Sequence, residues 1–250
     1  MNIHIFSDKA DMGREAAKKA AEILRVGIRK RGNARFVMAT GVSQYEFLAN
    51  LVRMDISWEN TEMFHLDEYI GIAEEHSASF RHYLHERFIN IVHHSNTNLI
   101  QGDAPNPVEE CKRIGKLLTK EKIDLSFIGI GENGHIAFND PPADFETEEP
   151  YIVVDLDEKC RQQQVGEGWF TSMEEVPTSA ISMSVKQILK TDHILCICPD
   201  SRKQKAVYES LHPSIPITPM VPASILKMHK KIDFYLDMNS AKLLFDAKIK

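Results

Sequence analysis

Short apolar segments alternate with longer amphipathic segments along almost the whole chain. Their lengths are typical of strands buried in a sheet, and the clearest of them cover residues 34–39, 62–66, 125–130, 193–198 and 232–236. Helical patterns lie between them, and the longest, over residues 8–31, repeats alanine at helical spacing. Strands that alternate with helices in this way predict an α/β fold with a doubly wound, mostly parallel sheet and helices on both faces.

Size and composition restrict the class of protein further. With 250 residues and no linker, repeat or low-complexity segment, the chain predicts a single domain over residues 1–250. A net charge of −6 argues against binding to nucleic acid or to an anionic membrane. There is no apolar run of about 18 residues, and charged residues interrupt the first segment, so we expect a cytoplasmic protein without a leader.

The four cysteines do not form a metal-binding pattern. No two of them have CxxC spacing, and Cys196 and Cys198 lie within an apolar strand. We therefore expect reduced thiols in the core and no metal site.

A glycine-rich turn follows the strand predicted at residues 125–130. It contains three glycines in six residues, at 129, 131 and 134, and polar side chains at Asn133 and His135, with Asp140 five residues further on. Such a turn lets a ligand approach the backbone closely, and the carboxyl ends of strands are where open α/β sheets bind ligands. The alternative is a plain corner with a solvated histidine and aspartate.

Two other predicted strands also end in polar residues. Thr40-Gly41-Val42-Ser43 lies between a strand and a helix, an arrangement that binds phosphate, although Ser43 as a simple N-cap is the alternative. Asp67 and Glu68 follow the next strand, either as solvated loop charges or with one carboxylate as a general base. Parallel strand ends share one edge, so these groups and His135 should share a cleft.

The chemistry that such a cleft supports is proton transfer on a phosphorylated small molecule. Lys205, near the start of a later helix, could add a positive charge for the phosphate. A histidine can both accept and donate a proton near neutral pH, and a carboxylate can carry a proton between two carbons. Neither a metal nor a redox cofactor is required, and we expect none.

Two motifs resemble a known family. His65-Leu66-Asp67-Glu68-Tyr69 and the segment from Gly131 to Asn139 are similar to the glucosamine-6-phosphate deaminase branch of the glucosamine/galactosamine-6-phosphate isomerase and 6-phosphogluconolactonase superfamily. The resemblance runs from about residue 36 to the last strand. It implies a Rossmann-like fold and the conversion of D-glucosamine 6-phosphate and water to D-fructose 6-phosphate and ammonia.

The resemblance also implies a role for each motif residue. Asp67 would move the proton between C2 and C1, and His135 would act on the ring oxygen during ring opening, assisted by Asn133 and oriented by Asp140. The phosphate and the rest of the substrate would be bound by Thr40, Gly41, Val42, Ser43, Glu68, Arg161 and Lys205. The partner is a phosphorylated amino sugar, and a homo-oligomer is compatible with this interpretation.

The chain departs from the family pattern at three places. Asp140 stands where a glutamate is usual, Gly168 stands where an arginine precedes two aromatic residues, and the phosphate turn reads Thr-Gly-Val-Ser. Arg161 could replace the missing arginine from another position.

Two other functions are compatible with the same fold. A phosphosugar lactonase would not need Asp67, and a non-catalytic sugar-phosphate sensor would need neither Asp67 nor His135.

Overall fold

The strands form two sheets in the computed structural model of the protein, which describes residues 1–246. The strands are β1 (Asn2–Phe6), β2 (Ala34–Met38), β3 (Thr61–His65), β4 (Asp67–Tyr69), β5 (Thr97–Asn98), β6 (Leu125–Ile128), β7 (Tyr151–Asp155), β8 (Ser179–Met183), β9 (His193–Cys198) and β10 (Ile232–Asp237). Seven of these strands make one sheet in the order β1-β10-β9-β6-β2-β3-β5, and all its pairings are parallel. The predicted doubly wound, parallel α/β fold is confirmed.

Helices cover the sheet and connect its strands. They are α1 (Lys9–Arg31), α2 (Tyr45–Leu51), α3 (Phe80–Leu84), α4 (Asn90–Val92), α5 (Pro107–Leu118), α6 (Glu158–Gly166), α7 (Val185–Leu189), α8 (Gln204–Leu211) and α9 (Lys242–Asp246). A π-helical segment, His85–Ile89, joins α3 to α4, so residues 80–92 form one continuous but irregular helix. No helix of residues 1–246 is long and apolar enough to cross a membrane.

The longest helix, α1, shows how the sequence produces this packing. The side chain of Asp8 accepts hydrogen bonds from the N–H groups of Ala10 and Asp11 and begins the helix. The small side chains of Ala16, Ala20 and other residues at helical spacing are fully buried. Their small size lets α1 pack closely against its neighbours, so that this helix covers one face of the central strands.

Three strands lie outside the parallel sheet and form a second sheet. This second sheet was not predicted from the sequence. β4, β8 and β7 form a small antiparallel sheet. Leu66 links it to the main sheet, since its N–H donates to the carbonyl of Met38 in β2 and its own carbonyl accepts from the N–H of Met183, the last residue of β8. The chain therefore leaves the main sheet directly after β3, and this turn brings Asp67 to the edge of the sheet.

Candidate active site

A single cleft lies at the carboxyl ends of β2, β3, β6 and β9, where α/β sheets commonly bind ligands. The cleft and its open mouth enclose about 590 Å³. Its walls include the three polar strand ends predicted from sequence, together with residues of α6 and of the turn before α8. Among the residues that line it are Thr40, Gly41, Val42, Ser43, Asp67, Gly131, His135, Gln163, Gln164, Glu167 and Lys203.

The turn after β2 forms one wall of the cleft. Gly41 has a φ of 93°, a conformation that favours glycine, and it is followed by a short helical turn over Val42–Gln44 that leads into α2. The hydroxyl of Tyr83 donates to the carbonyl of Gly41 at 3.0 Å and fixes this turn. The first N–H groups of a helical turn lack acceptors within the helix, so the turn can receive anionic oxygens.

Asp67, just after the neighbouring strand β3, also lines the cleft and is 6% exposed. Burial, with a smaller contribution from the neighbouring charge of Glu68, raises the pKa of Asp67 to about 8. In the empty cleft, this carboxyl group is therefore largely protonated at pH 7. A cationic group of a ligand nearby would favour its ionised form, which is the form that a base needs.

This raised pKa gives a testable pH dependence of stability. The folded protein retains the proton up to about pH 8, whereas an unfolded chain loses it near the ordinary value of 3.8. The free energy of unfolding therefore falls as the pH rises between these values. We expect Asp67→Asn to raise Tm, by more at pH 8 than at pH 5, in thermal scans of both proteins. A Tm difference that stays constant across this range would contradict the raised pKa.

His135 and Asp140 form a pair beside Asp67. Nδ1 of His135 lies 3.1 Å from Oδ1 of Asp140. Asn133 supports the pair from both sides, since its side-chain nitrogen donates to Asp140 at 2.9 Å and its side-chain oxygen accepts from the backbone N–H of His135 at 3.1 Å. The shorter carboxylate at position 140 therefore still reaches the histidine.

The ionised form of Asp140 is favoured despite its burial. Burial alone would raise the pKa of Asp140, but the contacts with His135 and Asn133 and the backbone N–H of Asp157 outweigh it and lower the pKa. A carboxylate that remains charged can hold the imidazole ring in one orientation and stabilise its protonated form.

Gly131 positions the ring of His135. A Cβ atom placed on Gly131 would lie 2.2 Å from Cε1, 2.3 Å from Nε2 and 2.4 Å from Nδ1 of His135. The imidazole therefore rests directly on the backbone of this residue, and a side chain at position 131 would displace it. This close approach explains one of the three glycines of the turn.

We expect Gly131→Ala to lower the kcat of the reaction at this site about a hundredfold or more. The new methyl group would displace His135, and misplacing a catalytic group by about 1 Å can have an effect of this size. Gly129→Ala is the matched control, since a Cβ there would meet its nearest neighbour at 3.6 Å, an ordinary contact. Steady-state kinetics of both variants, with near-UV circular dichroism to verify folding, provide the measurement. Equal activity of the two variants would contradict this role of Gly131.

One group of side chains in the described part of the chain could hold a metal ion. The donor atoms of His135, Asp140 and Cys160 all lie within 4.8 Å of one another. Burial is the main cause that raises the pKa of the Cys160 thiol, which keeps it protonated. A metal ion here would have to displace the thiol proton and take the histidine from its pairing with Asp140.

Three residues that the resemblance assigned to the substrate, Glu68, Arg161 and Lys205, do not line the cleft. Glu68 has no exposed surface, and its carboxylate accepts from the hydroxyl of Ser79 and from the N–H groups that begin α3, including that of Arg81. Glu68 therefore caps a helix. The guanidinium of Arg161 donates to the carbonyls of Met173 and Val176, so it cannot replace the missing arginine from this position.

The lysine of the cleft is Lys203, not Lys205. Lys205 lies outside the cleft near Glu209, with 76% of its side chain exposed. Lys203 is 2% exposed and lines the cleft. Lys203 belongs to the turn directly after β9, whereas Lys205 is already on α8. The position of Lys203 closer to the end of the strand is the feature of the sequence that could have identified it as the lysine of the cleft.

Helix α6 and the turn after it contribute side chains that were not predicted from the sequence as site residues. Gln163, Gln164 and Glu167 line the cleft, and Gln164 accepts a hydrogen bond at 2.7 Å from the hydroxyl of Tyr69. The absence of a clear helical period in this segment concealed them, because its few buried residues face a polar cleft.

Comparison with known proteins identifies the family. Residues 7–234 match the family described as glucosamine-6-phosphate isomerases/6-phosphogluconolactonase. The chain belongs to this family. Among its relatives, a glucosamine-6-phosphate deaminase from Clostridium acetobutylicum is 34% identical over 237 residues, which cover 92% of this chain and 96% of the relative. Another from Thermoanaerobacter sp. (strain X514) is 33% identical and covers 94% of each chain.

Solved structures of the isomerase/lactonase family share this fold. A monomeric glucosamine-6-phosphate deaminase superposes with a TM-score of 0.90 at 27% identity, covering 97% of this chain and all of the other. A 6-phosphogluconolactonase from Trypanosoma brucei has a TM-score of 0.80 at 15% identity, covering 97% and 98% of the two chains. The second likeness concerns the fold alone.

Proposed function

We propose that the protein is a glucosamine-6-phosphate deaminase, which converts D-glucosamine 6-phosphate and water to D-fructose 6-phosphate and ammonia. The observation that carries this proposal is the meeting of Asp67 and His135 in one cleft that also contains Lys203 and the turn after β2. These groups provide a base, an acid–base catalyst and an anion site. The names of the relatives that are more than 30% identical over most of the chain agree with it.

The phosphate group anchors the substrate away from the reacting carbons. The turn at Val42 and Ser43, with its backbone N–H groups, and Lys203, with its ammonium, both line the cleft. Binding energy gained there holds C1 and C2 near the catalytic groups.

Ring opening is the first chemical step. Nε2 of His135, on the side of the ring away from Asp140, takes the proton of the C1 hydroxyl and returns it to the ring oxygen. Asp140 stabilises the protonated imidazole that forms in between, and Asn133 keeps Asp140 in place. The product is the open-chain aldehyde.

Proton transfer from C2 to C1 follows. The carboxylate of Asp67 removes the C2 proton while one proton of the substrate ammonium moves to the C1 oxygen, which gives an enolamine. The protonated Asp67 then delivers its proton to C1, which leaves a C2 iminium and a C1 hydroxymethyl group. Water adds to C2 and ammonia departs, so that the ketone of fructose 6-phosphate remains. The ammonium group of the bound substrate offsets the burial of Asp67 and favours the ionised carboxylate that starts this step.

Ammonia release from glucosamine 6-phosphate tests the proposal, with unphosphorylated glucosamine as the control substrate. We expect ammonia from the first and far less from the second, because the anion site would be left unused. No ammonia from the phosphorylated sugar at any pH between 6 and 9 would contradict the proposal.

A 6-phosphogluconolactonase is the second candidate, favoured by the shared fold with structures of that activity. Such a hydrolase has no use for a carboxyl group buried beside the reacting carbons, and Asp67 is such a group. A non-catalytic sensor would likewise not need the His135–Asp140 pair.

We also propose that residues 1–250 act as one domain in the cytoplasm, as the sequence predicts. Light scattering after size-exclusion chromatography decides between a monomer and a homo-oligomer.

A further inference from the structure

A carboxylate occupies the anion end of the cleft. Glu167, in the turn after α6, lines the cleft, and its side chain is 5% exposed. Its Oε1 accepts from the side chain of Gln163 at 2.8 Å, and its Oε2 accepts from the indole N–H of Trp169 at 3.2 Å. Three polar partners thus surround it, since Nζ of Lys203 lies 4.0 Å from Oε1.

Glu167 is placed where the phosphate would bind. It lines the cleft together with Val42, Ser43 and Lys203, and a second cavity just outside the cleft is again lined by Val42, Ser43 and Glu167. A phosphate held by Lys203 and the turn would therefore lie against this carboxylate. Two anions that lie against each other in a buried site repel each other strongly, because little water screens their charges.

We propose that Glu167 is the internal counter-ion of Lys203 in the empty cleft, and that the phosphate of the substrate displaces it. Glu167 would then determine affinity and specificity, since an incoming group must carry enough negative charge to replace a carboxylate. This inference rests on the proposed function, because it concerns the phosphate site of the same cleft.

The chain around Glu167 is built so that this displacement is feasible. Gly168, which follows it, has a φ of 82°, and a Cβ there would meet no atom within 4 Å. The chain is therefore open to solvent at Gly168, and the hydrogen bonds that hold the backbone of this turn do not involve the side chain of Glu167. No ion pair shorter than 4.0 Å holds the carboxylate in the described part of the chain.

A direct reporter of the displacement is present in the protein. Trp169 donates its indole N–H to Glu167, whereas the second tryptophan, Trp58, is 8% exposed in the core beside Phe36 and Phe88. In a Trp58→Phe background, the fluorescence of Trp169 alone reports whether Glu167 leaves its position.

The test is a titration with inorganic phosphate, comparing Glu167→Gln with the parent protein in that background. Removing the competing charge should lower the Kd for phosphate about tenfold, equivalent to about 1.4 kcal/mol. The KM for glucosamine 6-phosphate should fall similarly, with kcat nearly unchanged. Glu158→Gln, an exposed glutamate at the start of α6, is the matched control and should change neither constant.

Three results would overturn the inference. The first is an unchanged or higher phosphate Kd in Glu167→Gln, which would mean that Glu167 stays in place and supports the site. The second is phosphate binding, measured by calorimetry, that leaves the Trp169 emission of the parent protein unaltered. The third is an absence of saturable phosphate binding in both proteins. Because the titration requires no turnover, the inference can hold even if no ammonia is released from glucosamine 6-phosphate.

Discussion

Asp67→Asn is expected to lower kcat for ammonia release about a thousandfold, with a change in KM of less than about threefold. Asparagine has the same shape as aspartate but cannot take up the C2 proton. Substrate binding should persist, because the phosphate contacts of Lys203 and the turn lie at the other end of the substrate. Initial rates of ammonia release over a range of substrate concentrations provide both constants.

Asp155→Asn is the matched control, since Asp155 is an exposed aspartate on β7 of the same small sheet. It should leave kcat and KM unchanged. Thermal scans separate catalysis from folding, because Asp67→Asn should be at least as stable as the parent protein at pH 8. Turnover by Asp67→Asn within about tenfold of the parent would remove Asp67 from the proton transfer.

Lys203→Ala should raise the KM for glucosamine 6-phosphate about a hundredfold, which corresponds to the loss of one buried, charge-assisted contact to phosphate. Lys205→Ala, two residues away, should change KM less than about twofold, because its ammonium is exposed and lies near Glu209. The pair is well matched, since both substitutions remove one positive charge and the two positions are only two residues apart.

Inhibition by inorganic phosphate provides a second measurement for the lysine pair. The inhibition constant should rise in Lys203→Ala and remain unchanged in Lys205→Ala. If the larger effect instead followed Lys205, the phosphate would bind outside the cleft and the substrate would lie in a different orientation from the one proposed here.

The fold could be predicted from the sequence because its main signal is local. Each buried strand of the parallel sheet is a short apolar run between helical patterns, and β2, β6 and β9 were identified in this way. The small antiparallel sheet was not predicted, since β4 contains only Asp67, Glu68 and Tyr69. Its pairing with β8 depends on the bend at Leu66, which is a contact between distant segments.

The site residues likewise include some that could be predicted from the sequence and some that could not. Asp67, His135 and the phosphate turn were predicted to converge because they follow strands, and the parallel sheet brings them to one cleft. Whether a polar residue beside a strand end faces the cleft depends on a shift of one or two positions. That is why Glu68, one position from Asp67, and Lys205, two positions from Lys203, do not face the cleft.

The shorter carboxylate at position 140 is explained by the turn that carries it. Asp140 reaches Nδ1 of His135 at 3.1 Å because Gly131 lets the imidazole lie against the backbone and Asn133 holds the carboxylate. These contacts arise from tertiary packing, and residue types alone could not reveal them. The substitution is therefore compatible with ring opening at this site.

A ³¹P NMR time course of the protein with glucosamine 6-phosphate and 6-phosphogluconolactone in one tube, with ammonia assayed in parallel, tests the central claim most directly. It follows the conversion of both candidate substrates by the same sample. We expect fructose 6-phosphate and ammonia to appear in equal amounts, while the lactone is hydrolysed only at its spontaneous rate. Enzyme-dependent formation of 6-phosphogluconate with the amino sugar unchanged would contradict it.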